Sequence, residues 1–240
     1  LAGIRYYSYA ILDKKGAFGQ KMNNRIFIVG GGSSLIGFPW KMLRNEDTIA
    51  VNAAIFDVPN ANYFITMDHS FLRKIQPMKR SFDSKDVTKV FVGGFHHEYL
   101  KERRGLIMDE RFRRIYRLEQ FDIIVKSYTE EGCGFSFGDF RSGDNSGFCG
   151  LQLAVLLRYQ KIYLLGMDFA FTGRTHYHNV YRGTRDFDAK LHHYEDNFRK
   201  GLSDIKRISD IEVCSCSEIS ALNDVIPYVP MKEIMWQGVV

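Results

Sequence analysis

The chain has no apolar run approaching 18 residues, so no segment is long enough to cross a bilayer as a helix. Its first residues lack the charged start, apolar core and small-residue cleavage site of a secretory leader, and no signal peptide is expected. The sequence starts at Leu1 rather than Met, which leaves open what precedes it. Cysteine is sparse: Cys133, Cys149 and the Cys214-x-Cys216 pair match neither zinc-ligand spacing nor a disulfide framework. Buried free thiols in a reducing cytoplasm are the expectation. Internal repeats, low-complexity tracts and linkers are also missing, which points to one domain. No nucleic-acid-binding motif accompanies the net charge of +5. That charge is uneven, because Lys101, Arg103, Arg104, Arg111, Arg113, Arg114 and Arg117 crowd into positions 101–117. They read either as a solvated helix face or as a peripheral contact with an anionic membrane or glycan surface.

What remains is an ordinary globular composition, 45% hydrophobic and 25% charged, in 240 residues. Short, nearly continuous apolar runs at 25–29, 48–51, 63–67, 89–92, 162–165 and 211–214 read as strands covered on both faces. Stretches compatible with helix lie between them, most clearly at 147–159 and 186–208. In the first, Leu151, Ala154, Val155 and Arg158 recur at helical spacing and suggest a stripe on one side. Strands alternating with helices predict an α/β fold, a Rossmann-like, doubly wound and mostly parallel sheet. Residues 1–24 read as an extension and 25–240 as the single domain. The polar, aromatic and basic stretch at about 170–192 reads as a lid.

Sheets of this kind bind ligands beyond the carboxyl ends of their strands, so the residues following each strand are the candidates. After the first comes Gly30-Gly31-Gly32-Ser33-Ser34-Leu35. Glycines let backbone N–H groups approach a phosphate, and the serine hydroxyls add donors. Leu35 stands where a dinucleotide fingerprint needs glycine, and no Gly-Lys-Ser/Thr follows as a P-loop requires. Valine at Gly31 or Gly32 is expected to abolish nucleotide binding and spare the fold. Asn52 ends the second strand and Asp68 the third, an amide and a carboxylate suited to a base, a ribose or a sugar hydroxyl. Gly143-Asp144-Asn145-Ser146-Gly147 opens a helix, where Asn145 or Ser146 either caps the first turn or helps form an anion site.

Asp168 follows the strand at 162–165, ahead of Arg174, His176 and His178. Two alternating histidines are too few to define a metal site, and none is assigned. His192 and His193 open the long helix. A histidine titrating near neutrality is the natural general base for a hydroxyl.

Ser146-Gly147, the helix after it, and the run 161–169 ending Gly166-Met167-Asp168-Phe169 carry a family resemblance. So do the glycine loop with Ser34-Leu35, Val51-Asn52, and Cys214-Ser215-Cys216 with Leu222. In this order they resemble the bacterial sialyltransferases of glycosyltransferase family 42. They equally resemble a related family of hydroxymethylpterin pyrophosphokinases and flagellin-modifying Maf proteins. The sialyltransferase resemblance implies a Rossmann-like fold with a lid, a CMP-activated sugar donor and no required metal. By similarity Gly32, Asn52, Asp68, Ser146 and Gly147 line the donor site, and His193 is the base. Those enzymes have asparagine in place of Asp68. Their lid tyrosines fall at Ala170, which cannot donate a hydrogen bond, and at His176. Gly173-Arg174-Thr175-His176 is closer to the pyrophosphokinase side.

The leading expectation is a glycosyltransferase moving a sugar, sialic acid or a related nonulosonate, from a nucleotide donor to a glycan acceptor. In it His193 deprotonates the acceptor, while His176, Arg174, the glycine loop and the helix start at Ser146 stabilise the departing phosphate. The alternatives are an ATP-dependent diphosphotransferase, with magnesium held by Asp68 or Asp168, and a nucleotide-binding module without turnover.

Overall fold

In the computed structural model of the chain, the described residues are 24–75, 82, 86–93, 118–127, 131–170, 173, 176–178 and 187–236. Among them, seven parallel strands form one sheet. They are β1 (Arg25–Val29), β2 (Thr48–Val51), β3 (Tyr63–Thr66), β4 (Thr88–Gly93), β5 (Ile123–Lys126), β6 (Lys161–Leu165) and β7 (Glu212–Ser215). The four α-helices among the described residues are α1 (His69–Ile75), α2 (Ser146–Leu156), α3 (Phe187–Ile208) and α4 (Met231–Trp236).

The apolar runs become strands because both faces of the sheet are covered. Ile26 and Ile28 of β1 belong to one hydrophobic cluster with Phe148 of α2 and with Phe198, Leu202 and Ile205 of α3. Phe27 and Val29 face the other way, into a cluster with Leu35, Phe71, Leu72 and Ile234. Every β1 residue from Ile26 to Val29 is fully buried, which a strand with one wet face does not allow. β5 departs from this pattern and was not anticipated. It is a four-residue edge strand whose apolar run Ile123-Ile124-Val125 ends at exposed Lys126.

Strand order is β5-β4-β3-β2-β1-β6-β7. The chain steps outward from β1 to β5, then returns to lay β6 on the free side of β1. The order reverses between β1 and β6, and a doubly wound sheet opens its crevice at that place. α2 crosses this middle of the sheet over β1, β2 and β3. It does not carry the single apolar stripe expected of it. All residues from Ser146 to Val155 are buried, and Arg158 lies past the helix end in a left-handed conformation. α3 is the amphipathic one: Phe198, Leu202 and Ile205 turn inward, and the Phe198 ring packs edge-on against Phe148 at 5.2 Å.

Cys133, Cys149 and Cys214 are buried and free, and Cys216 is half-buried and free. Burial pushes the Cys133 thiol up to about 12, so it stays protonated. No helix among the described residues is long and apolar enough to cross a membrane. The basic segment 101–117 lies outside the described residues, as does the extension except for Asn24. α3 begins at Phe187, so residues 187–192 of the expected lid are its first turns.

Candidate functional site

The glycine loop leaves β1 at the point of strand reversal and is bonded to the continuation of β6. Gly30 N–H donates to the Leu165 carbonyl at 2.8 Å and Gly32 N–H to the Gly166 carbonyl at 2.9 Å. Ser33 then starts a short 3-10 turn, Ser33–Leu35. The serines do not turn their donors outward. Ser34 N–H donates to Asp168 Oδ2 at 2.9 Å, Ser34 Oγ–H to Asp168 Oδ1 at 2.6 Å, and Ser33 Oγ–H more distantly to Oδ2 at 3.4 Å. Asp168, 4% exposed, thus organises the loop, where the sequence suggested a magnesium ligand or a ligand contact. This changes what glycine does here. A Cβ on Gly32 would run into the Asp168 carboxylate, so a larger residue there disturbs the fold rather than sparing it. A Cβ on Gly31 would stand 2.8 Å from His176 Cδ2 and 3.1 Å from His178 Nε2.

Those two histidines cover the loop because Tyr177 between them is anchored. Tyr177 N–H donates to the Gly31 carbonyl at 3.0 Å and its hydroxyl to Asp57 Oδ2 at 2.9 Å. Its ring lies 5.2 Å from that of Trp40. The His176 and His178 rings sit side by side at 5.1 Å, and the His178 ring also packs edge-on against that of Tyr177 at 4.9 Å. Burial lowers the His176 pKa to about 4, and the Lys74 ammonium acts in the same direction. Asp168 and Asp68 oppose the shift more weakly. His176 is therefore neutral at pH 7 and offers one N–H, not a positive charge. Arg174 and most of the expected lid lie outside the described residues.

The ends of β2 and β3 meet beside this loop. Asn52 adopts a left-handed φ of 50°, uncommon outside glycine, at the turn from β2 into the 3-10 helix Asn52–Phe56. Thr66 Oγ–H donates to Asn52 Oδ1 at 2.7 Å, and Asp68 N–H donates to Thr66 Oγ at 3.1 Å. Asp68 Oδ1 accepts from Ser70 and Phe71 N–H, capping α1. Met67 N–H donates to Ser146 Oγ at 3.1 Å, which ties the start of α2 to the end of β3. The α2 cap is Asn145, whose Oδ1 accepts from Gly147 N–H at 2.7 Å and Phe148 N–H at 3.2 Å. The Ser146 N–H and hydroxyl are the donors of that first turn that Asn145 does not use.

Of the adjacent histidines, α3 brings His193 to this edge. His193 Nε2 lies 3.8 Å from Asp144 Oδ2 and 3.3 Å from Asn197 Nδ2. Buried Asn197 in turn donates to the Gly143 carbonyl at 3.1 Å. Gly143 (φ 58°) and Asp144 (φ 49°) are consecutive left-handed residues, so the loop before Asn145 bends sharply towards α3. His192 points elsewhere, 83% exposed and 3.9 Å from Glu195. Sequence reasoning did not find the anchoring roles of Thr66, Tyr177 and Asn197. Their partners are remote in sequence or sit in unremarkable positions; only a hydroxyl on the last residue of β3 hinted at Thr66.

Among the described residues, no group of three His, Cys, Asp or Glu side chains forms a metal-binding cluster. The arrangement can bind an acceptor-rich ligand through neutral donors at the end of β2 and the start of α2, with an imidazole at its rim.

No protein-family model and no curated protein sequence matches the chain. Solved structures do. The sialyltransferase CST-II in complex with a trisaccharide acceptor and CMP aligns over 86% of each chain, at 15% identity and a TM-score of 0.51. CstII from Campylobacter jejuni with cytidine-5'-monophosphate aligns over 89% of this chain and 87% of that one, at 15% identity and 0.48. The α-2,3-sialyltransferase Cst-I from Campylobacter jejuni covers 87% and 81%, at 15% identity and 0.46. The first likeness agrees with the sialyltransferase resemblance of the sequence, and at this identity it establishes a shared Rossmann-like α/β fold.

Proposed function

We propose that the chain is a glycosyltransferase that binds a CMP-sugar, a sialic acid or related nonulosonate donor, and transfers the sugar to a glycan hydroxyl. The observation carrying this reading is the position of His193. It is held by Asn197 next to the loop that starts α2, at the carboxyl edge where Asn52, Ser146 and His176 lie. The fold shared with a sialyltransferase that binds CMP and a trisaccharide acceptor supports it.

In this mechanism the acceptor oxygen bonds to the anomeric carbon as the bond from that carbon to the phosphate oxygen breaks. The electron pair leaves with the phosphate of CMP, and the acceptor proton passes to His193. The donors suited to the growing phosphate charge are the Ser146 hydroxyl and N–H, the N–H of neutral His176, and the positive end of α2. The glycine loop supports these groups from beneath, since its serine donors belong to Asp168. No step of this chemistry calls for a metal, and turnover is expected to persist in EDTA.

The test incubates the protein with CMP-sialic acid and an oligosaccharide acceptor in EDTA, following CMP release and glycan product. Product formation is the expected result. Turnover of ATP that strictly requires magnesium, with no CMP released, overturns the reading in favour of diphosphoryl transfer.

A further inference from the structure

Asn52 stands at a turn where either end of its amide could face the open edge, and which end does so decides what it recognises. Thr66, fully buried, removes the choice. Its oxygen accepts the Asp68 N–H at 3.1 Å, and Asn52 at 2.7 Å is the one acceptor for its buried hydrogen among the described residues, so a flipped amide would leave that hydrogen unpaired. A hydroxyl that donates must meet the amide oxygen, so Asn52 Oδ1 is held inward. Among the described residues no hydrogen bond ends on Nδ2, and it is not among the buried unsatisfied atoms, so this end of the amide keeps access to solvent at the strand ends. Ser146 is biased in the same way: its oxygen accepts from Met67 N–H, which leaves its hydrogen to donate.

We infer that Thr66 is a positioning residue that sets the polarity of the cleft. It fixes Asn52 as a donor, so that the site selects acceptor atoms such as carbonyl, ribose or phosphate oxygens. The inference rests on the reading of this edge as the ligand site. The left-handed φ of Asn52 fits the role, because backbone held in a sparsely populated region persists where surrounding bonds over-determine it. Thr66 touches no ligand in this scheme and acts through Asn52.

The experiment compares Thr66→Val, which keeps shape and removes the hydroxyl, with Thr66→Ser, which keeps the hydroxyl. CMP binding is measured by calorimetry for each, and again in an Asn52→Ala background. Thr66→Val is expected to weaken CMP about tenfold to a hundredfold, the usual consequence of unpairing a recognition amide. Thr66→Ser should restore affinity, and the valine effect should vanish once Asn52 is alanine. Equal affinity of Thr66→Val and the parent overturns the inference, as does an effect that persists without Asn52. A second readout needs no ligand: exchange of the Asn52 side-chain amide hydrogens by NMR, assigned by their loss in Asn52→Ala. Rapid exchange of both hydrogens in the parent is expected, and protection of either one overturns the inference. If the parent binds no CMP, the donor reading fails, and this exchange measurement alone decides the role of Thr66.

Discussion

Replacing Asp168 with alanine should cost stability well beyond an ordinary surface substitution, because one carboxylate organises the whole glycine loop. Two short bonds, from Ser34 N–H at 2.9 Å and Ser34 Oγ at 2.6 Å, end on it, with a longer one from Ser33 at 3.4 Å. Hydrogen bonds to a charged group contribute roughly 1.5–3 kcal/mol each, which for the two short bonds gives roughly 3–6 kcal/mol. Two effects reduce that figure: Ser34 is exposed and rehydrates when released, and removing a buried charge relieves its desolvation. A net loss of about 2–4 kcal/mol is expected for Asp168→Ala. Asp168→Asn should lose only about 1–2 kcal/mol, since its amide oxygen keeps the Ser34 N–H and the Ser34 hydroxyl can rotate to accept from the new NH₂. Urea unfolding monitored by circular dichroism reads both. With a slope of about 2–3 kcal/mol/M, the alanine variant should unfold about 1 M earlier than the parent. A change below about 0.5 kcal/mol in both variants would refute the assignment of Asp168 as the organiser of the loop.

His193→Ala should lower kcat by roughly 10²- to 10⁴-fold while CMP affinity changes little, and His192→Ala should leave both near the parent value; a loss that follows His192 instead would move the base. The folded His176 has a pKa of about 4 against 6.5 when free, so between those values the unfolded chain holds the extra proton. Stability should therefore rise with pH across that window and fall on acidification from pH 7 to 5. His176→Gln should shrink the slope, leaving the part due to buried His69, whose pKa is also lowered by burial. Melting temperatures across that range check both statements. Gly31→Ala should keep the fold, because it meets only ring edges of His176 and His178, yet weaken CMP binding in calorimetry. Gly32→Ala should lower the urea midpoint, since it strikes Asp168.

Much of the fold was legible in the sequence, for a physical reason. A strand buried on both faces is mostly apolar, so β1, β2, β3, β4 and β6 announced themselves, and edge strand β7 did so through Val213 and Cys214, one on each face. Glycine loops and polar strand-end residues marked the carboxyl edge because that chemistry is local, and the cap on α2 is local too, from Asn145 to Gly147 and Phe148. Edge strand β5 was missed although its Ile123-Ile124-Val125 is apolar. The job of each site residue was a tertiary matter. Asp168 reaches Ser34 across 134 positions and Tyr177 reaches Asp57 across 120. Only the return of the chain to place β6 beside β1 brings such pairs within bonding distance. The choice of His193 over His192 had a sequence expectation behind it. The contact that distinguishes them, with Asn197 and the left-handed Gly143-Asp144 turn, depends on how α3 docks against the sheet. Composition and periodicity follow from the environment of each residue alone, whereas a hydrogen bond between distant strand ends exists only after the topology has set their separation.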